Sequence, residues 1–101
     1  MLFEWEENKN RANRAKHGID FELAREAFDD PFAISIQDRD VAGEQRHQLI
    51  GVIFTRIILV AYTTRVKFQS GAIAEDLTVR IISARKATPS ERKLYEENTA
   101  H

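Results

Sequence analysis

Chemistry in this chain falls to its charged side chains. The three histidines, His17, His47 and His101, are scattered, and no two stand at the spacing by which a helix presents a pair of metal ligands. There is no cysteine, which removes thiolate nucleophiles, cysteine-rich zinc sites and disulfide frameworks together. Ser35, Ser70, Ser83 and Ser90 form no nucleophile-elbow pattern, and Gly18, Gly43, Gly51 and Gly71 form no phosphate loop. Neither a metal nor an organic cofactor is expected. What remains is a supply of cations: Arg56, Arg65, Lys67, Arg80, Arg85, Lys86, Arg92 and Lys93 against only Glu75, Asp76 and Glu91 over the same stretch. One reaction needs little else. In metal-free RNA cleavage the substrate's 2′-hydroxyl is the nucleophile, so the protein has to take that proton, give one to the leaving oxygen and set cations against the phosphate.

Arg65, Arg80, Arg85 and Lys16 are the candidates for stabilising that phosphate, although each taken singly is more often a surface charge. His17 is the candidate for proton transfer, since it closes a polar segment read as a helix, and helix C-termini favour cationic side chains. Its plainer reading is a helix-capping histidine. Trp5 can stack on a base, but a lone tryptophan in a small domain is usually core. The net charge of -1 speaks against a nucleic-acid role until it is divided. Residues 1–50 carry 7 Lys+Arg and 11 Asp+Glu, and residues 51–101 carry 8 and 5, so an acidic half precedes a basic one. A basic half can position a nucleic-acid backbone or bind an acidic partner without catalysis, or it can simply keep strand edges from pairing.

The elements that have to position these residues follow from pattern. A chain of 101 residues allows one domain, 1–101, with little spare core. Leu2–Trp5 is a short strand. Residues 8–17 form a helix, closed by Gly18 in the left-handed position of a C-terminus. Asp20 then caps a second helix over Phe21–Phe28, which Asp29-Asp30-Pro31 stops. Phe32–Ile36 is an edge strand, and Asp38–Glu44 a polar turn. Arg46–Thr64 is too long for one strand and breaks at Thr55-Arg56 into a hairpin, whose second strand is apolar on both faces and hence central. Gln69–Ala72 is a loop, Leu77–Ser83 a further strand, and Thr88-Pro89-Ser90-Glu91 a capping box that starts a helix at Pro89. Leu94 and Tyr95 give that helix a small apolar face, suited to a weak dock or to something outside the chain. No membrane-length apolar run and no signal-peptide pattern at Met1–Glu6 is present, so the expected location is the cytoplasm, with no membrane contact.

Taken in order, Phe3-Glu4-Trp5, Asn13 with Lys16-His17-Gly18, Phe21, Asp30-Pro31, Gly43-Glu44 with Arg46, Ile50-Gly51, Tyr62-Thr63 with Arg65, Arg80-Ile81-Ile82-Ser83-Ala84-Arg85 and Glu91-Arg92 with Tyr95 resemble the BrnT toxins. The resemblance runs from Phe3 to Tyr95. It implies an α+β fold similar to the RelE ribonucleases, read here as a small antiparallel sheet with two N-terminal helices packed on it and a C-terminal helix. It implies the toxin of a bacterial type II toxin-antitoxin pair, an endoribonuclease that arrests translation and growth. A BrnA-type antitoxin would neutralise it, and the complex would reach operator DNA only through the antitoxin. On the matching positions, Arg65, Arg80 and Arg85 become phosphate or transition-state cations, and His17 and Lys16 become acid/base or RNA-positioning groups. Residues 66–77 depart from the family as an insertion, which either lengthens a hairpin or covers the active face.

Overall fold

The computed structural model describes residues 1–41, 44–68 and 75–99. Strand β1 (Leu2–Glu4) leads into helix α1 (Glu7–His17) and the single turn α2 (Phe21–Ala24), which continues as a 3-10 turn over Arg25–Asp29. Then come β2 (Ile34–Val41), β3 (Glu44–Ile53), β4 (Arg56–Phe68), β5 (Glu75–Lys86) and helix α3 (Pro89–Thr99). The five strands form one sheet in the order β1-β5-β4-β3-β2.

Local chemistry explains the punctuation. Gly18 sits at φ 73° with its N–H donating to Arg14 O at 2.9 Å, the left-handed C-terminus expected of α1. Asp20 Oδ1 accepts from Leu23 N at 2.7 Å and caps α2. At α3, Thr88 Oγ1 accepts from Glu91 N at 3.3 Å while Glu91 Oε1 accepts from Thr88 N at 2.8 Å, closing the capping box. Ile53 pairs with Arg56 across a turn of Phe54 and Thr55, so the hairpin turns one residue earlier than expected. Strand β4 lies between β3 and β5, and Ile58, Leu59 and Val60 are all buried in it.

Three expectations are corrected. The sheet is mixed, because β1 runs parallel to β5 with Leu2, Phe3 and Glu4 beside Thr78, Val79 and Arg80. A strand of three residues carries no directional signal of its own, and the open edge of β5 admits it in this sense. The second helix loses its α-helical hydrogen bonding after Ala24, since the chain must tighten to reach Asp30 and the sheet edge. The helix arrangement also differs from two N-terminal helices packed on the sheet, since α1 meets the edge of β5 while α2 and α3 take opposite faces. Phe21, Ala24 and Ala27 pack with Leu49, Ile58, Val60, Tyr62 and Ile81 on one side, whereas Tyr95 of α3 packs with Ile50 and Leu59 on the other. Gly51 marks how closely the first layer sits, because a Cβ there would lie 2.9 Å from Ala27 O.

Of the polar turn expected over Asp38–Glu44, Asp38–Val41 and Glu44 belong to strands instead, and residues 42 and 43 lie outside the described residues. The loop expected at Gln69–Ala72 lies outside the described residues. At the two ends of the departure at 66–77 the β4–β5 pairing continues, with Val66, Lys67 and Phe68 in register with Leu77, Asp76 and Glu75, and residues 69–74 lie outside the described residues. Among the described residues, no helix is long and apolar enough to cross a membrane.

Helix α1 holds on without an apolar face. Ala12 and Ala15 are its only apolar residues, and Asn13 is its one buried residue, 7% exposed. The Asn13 amide acts as a missing strand: Nδ2 donates to Ala84 O and to Ile19 O, both at 2.8 Å, and Oδ1 accepts from Ala84 N at 3.0 Å. The edge of β5 beyond β1 is thereby satisfied by a side chain. Asn10 Oδ1 adds a bond from Phe21 N at 2.8 Å.

Helix α3 is fastened by two carboxylates. Glu91 takes Arg85 bidentately, Oε1 to Nη1 at 2.8 Å and Oε2 to Nη2 at 3.0 Å. Asp30 Oδ2 accepts from Tyr95 OH at 2.6 Å and from Val52 N at 2.9 Å. The bond from Arg85 holds the Glu91 carboxyl below its ordinary value against an opposing push from burial. For Asp30, burial pushes upward but is outweighed by the bonds from Tyr95 and the N–H groups of Phe32 and Val52, which leave it lowered. Burial and Asp30 together push Tyr95 up to about 12.

Both carboxyls are depressed in the folded state, so their stabilisation is complete above the ordinary carboxylate values near about 4 and drains away as pH falls through the folded ones. Comparing the thermal unfolding of the wild-type chain and Tyr95→Phe from pH 7 to pH 3 checks this. The gap between them is expected to be about 1–2 kcal/mol at pH 7 and to shrink as pH falls below the ordinary carboxylate value near about 4. A gap constant with pH would contradict the charged form of that bond.

Candidate active site

Strand pairing assembles the basic residues into rows. Glu4 of β1 stands beside Arg80 of β5, Arg80 beside Thr63 of β4, and Thr63 beside Arg46 of β3, so four strands contribute to one row. Because side chains alternate along a strand, these four share a face, and Arg65, two residues beyond Thr63, shares it too. It is the face that carries Ile50, Leu59 and α3 lower down, opposite the layer of α2. Between the two levels lie Ala61 and Ser83, a paired set of small residues. The floor is therefore low where the row of arginines ends and rises again at α3.

Glu4 organises the cations. Its Oε2 accepts from Arg65 Nη2 at 2.6 Å, and its Oε1 lies 3.8 Å from Arg80 Nη1. Arg65 is 54% exposed in its side chain and Glu4 30%, so this pair is worth about 1 kcal/mol or less. An incoming phosphodiester can displace it at small cost. Two buried polar atoms on the same row, Glu4 Oε1 and Arg46 Nε, have no hydrogen-bond partner among the described residues. Such atoms are scarce in folded proteins, and each calls for a physical explanation.

Arg85 is differently placed. Its fork is filled by Glu91, and that bond raises its pKa further. It joins the face as a charge and holds α3 as a strut.

His17 and Lys16 end α1, which meets the edge of β5. With Lys9, Ala12 and Asn13 they line a shallow cleft of about 340 Å³ floored by Ile82 and Ser83. Ser83 is on β5 between Arg80 and Arg85, so the α1 cleft opens beside the arginine row. The register shift between Ala61 and Tyr62 leaves Ile82 as an extra residue in β5 at this point, and such bulges re-aim neighbouring side chains.

Of the five residues singled out from the sequence, Arg65, Arg80 and Arg85 share a face of β4 and β5, while Lys16 and His17 line the α1 cleft that reaches Ser83. Two neighbours were missed. Glu4 and Arg46 stand among the positions of the family resemblance but receive no role from it; the two-residue alternation from Thr63 to Arg65 marks the face, and strand pairing brings them to it. His47 belongs elsewhere: it stacks on Tyr62 at 5.3 Å on the opposite face, where Tyr62 OH also bonds Ser35 Oγ at 2.6 Å. Trp5 packs edge-to-face on Phe21 at 6.2 Å, the core reading of that residue.

What this arrangement can do is hold a phosphate between two exposed guanidiniums beside a carboxylate, with an imidazole and amines at the rim. A family model described as ribonuclease toxin, BrnT, of type II toxin-antitoxin system matches residues 5–91. No curated protein matches the chain.

Proposed function

The chain belongs to the BrnT family of ribonuclease toxins of type II toxin-antitoxin systems, and from that premise we propose that it is a metal-independent endoribonuclease working on the arginine face of its sheet. An antitoxin partner and an RNA target come with the family; the mechanism, a BrnA-type antitoxin, arrest of translation, a cytoplasmic site of action and kinship of fold with the RelE ribonucleases are parts of this reading. The observation that carries it is the row Glu4–Arg80–Thr63–Arg46 with Arg65 folded onto Glu4.

In the reaction, the 2′-oxygen of RNA attacks the adjacent phosphorus, its proton leaves to a base, the bond to the 5′-oxygen breaks, and that oxygen takes a proton from an acid. Arg65 and Arg80 leave Glu4 for the non-bridging oxygens, where charge grows as the fifth bond forms. Arg85 adds its field while remaining bonded to Glu91. His17 and Lys16, at the rim beside Ser83, are the groups placed to exchange protons or hold the neighbouring nucleotide.

A second reading has its own support. Arg65 and Arg85 are hydrogen-bonded to carboxylates and Arg80 lies within ion-pair distance of one, as befits a binding module that cuts nothing. The two separate when purified protein is incubated with single-stranded and structured RNA in EDTA. Cleavage that persists there, and growth arrest on induction relieved by the neighbouring gene product, are the expected outcomes. Salt-sensitive RNA binding without cleavage or toxicity would favour the module. On α3, Leu94 is exposed and offers an apolar contact for the antitoxin.

A further inference from the structure

The turn between β3 and β4 holds an aromatic ring out in water on an unfavourable backbone. Phe54 has φ 55°, the only positive φ of a non-glycine residue among those described, and it is 81% exposed. Glycine or asparagine fills such a position in a two-residue hairpin turn with less strain. Phenylalanine here contributes neither turn geometry nor packing, so its value lies in what it meets outside the chain.

The residues that follow it in the chain open onto a cationic cleft. Thr55, Arg56 and Ile57, on the way out of the turn, line a cleft of about 330 Å³ with Lys86 from the end of β5 and with Arg92 and Glu96 of α3. Three cations converge there against one acid. Among the described residues none of Arg56, Lys86 and Arg92 has an ion-pair partner, in contrast to Arg65, Arg80 and Arg85. These unpaired cations therefore lie apart from Arg65 and Arg80. Along β4, Arg56 is seven residues from Thr63, about 24 Å at the rise of a strand. The two places are linked by sequence, since Lys86 follows Arg85 and Arg92 follows Glu91.

An exposed ring beside clustered cations is how single-stranded nucleic acid is held without sequence readout: a base stacks on the ring, and the phosphates beside it lie against the positive charges. We propose that Phe54 with the Arg56–Lys86–Arg92 cleft is a second RNA subsite, gripping a single-stranded segment remote from the phosphodiester that is cut. The assignment rests on RNA being the target of this chain and adds where the substrate is held. An acidic protein segment would meet the cations equally well, but it gives no reason for an aromatic ring in a strained turn, whereas unpaired bases do.

The test uses the full chain and a fluorescent, fully 2′-O-methylated single strand of about ten nucleotides. This probe has no free 2′-hydroxyl to attack, so binding is read independently of catalysis. Phe54→Asn is expected to weaken binding about tenfold while the melting temperature holds or rises, because asparagine suits the left-handed backbone better. That combination is one a merely structural Phe54 would not give. Arg56→Ala with Arg92→Ala is expected to lower the slope of log affinity against log salt by about 1.4, or roughly 0.7 for each phosphate released. Cleavage of a ribodinucleotide, too short to reach the turn, should remain within about twofold.

Unchanged affinity and salt slope in both variants, or no binding of the probe by the wild-type chain, would overturn the proposal. So would intact RNA binding with loss of co-purification of a co-expressed antitoxin, which would give the surface to the antitoxin. A wild-type chain that binds the probe through these residues yet cuts no RNA would leave the subsite standing and remove the catalytic reading, so the two fail separately.

Discussion

Asn13→Asp is expected to lower the melting temperature by about 10–20 °C. The substitution keeps the size of the side chain and the oxygen that accepts from Ala84 N, but it replaces the nitrogen that donates to Ala84 O and Ile19 O. A second oxygen then faces two carbonyls across distances that were 2.8 Å hydrogen bonds. Each buried group left unpaired costs about 1–3 kcal/mol, and there are two. In a domain of this size the total stability is only about 5–15 kcal/mol. Asn13→Ala should act in the same direction, since it strands all three backbone groups. Asn10→Ala removes one partly buried bond and should cost about 1 kcal/mol. Thermal unfolding followed by circular dichroism reads all three. A shift within about 3 °C for Asn13→Asp, under 1 kcal/mol for a chain of this length, would show that α1 does not depend on that amide for its place on β5.

Arg65→Ala with Arg80→Ala is expected to reduce RNA cleavage by at least about 10²–10³-fold, the loss typical of removing a preorganised charge from a developing oxyanion. The same double variant should lose little stability, because both arginines are exposed and their pairs with Glu4 are worth about 1 kcal/mol or less. Arg85→Ala should behave differently. Its guanidinium is committed to Glu91, and breaking that bidentate bond leaves a partly buried carboxylate at the start of α3. Stability is expected to fall by about 1–3 kcal/mol, and activity by less than in the double variant. Initial rates on one RNA, set beside melting temperatures, separate the two kinds of arginine. Equal cleavage by the Arg65/Arg80 double variant and the wild-type chain would remove the proposed role of the row.

Much of this architecture is legible before any coordinates. Gly18, Asp20 and Thr88-Pro89-Ser90-Glu91 announce helix ends because capping is decided by a few adjacent residues. The central place of β4 follows from its two apolar faces. What depends on distant partners is not legible. Three residues at the N-terminus cannot declare that they will lie parallel to β5, and nothing in Glu91–Tyr95 says which face of the sheet α3 will take. Asn13 is the sharpest case: an asparagine in a polar helix reads as surface until Ala84, 71 residues away, is placed beside it.

The site divides in the same way. Thr63 and Arg65 can be assigned to one face by alternation alone, and the basic half of the chain directs attention to them. Glu4 and Arg46 join them only through strand pairing, which no local pattern encodes. The net charge conceals both facts, because the acids that offset the cations include Glu4 and Glu91, the residues that hold them in place.

The ends of the RNA fragments released by purified protein in EDTA decide most directly whether this face performs the cleavage described. Attack by the 2′-oxygen leaves a 2′,3′-cyclic phosphate on the upstream fragment and a 5′-hydroxyl on the downstream one, and both are expected, with their yield lost in the Arg65/Arg80 double variant. Fragments with 3′-hydroxyl and 5′-phosphate ends, or cleavage that stops when EDTA is added, would contradict it.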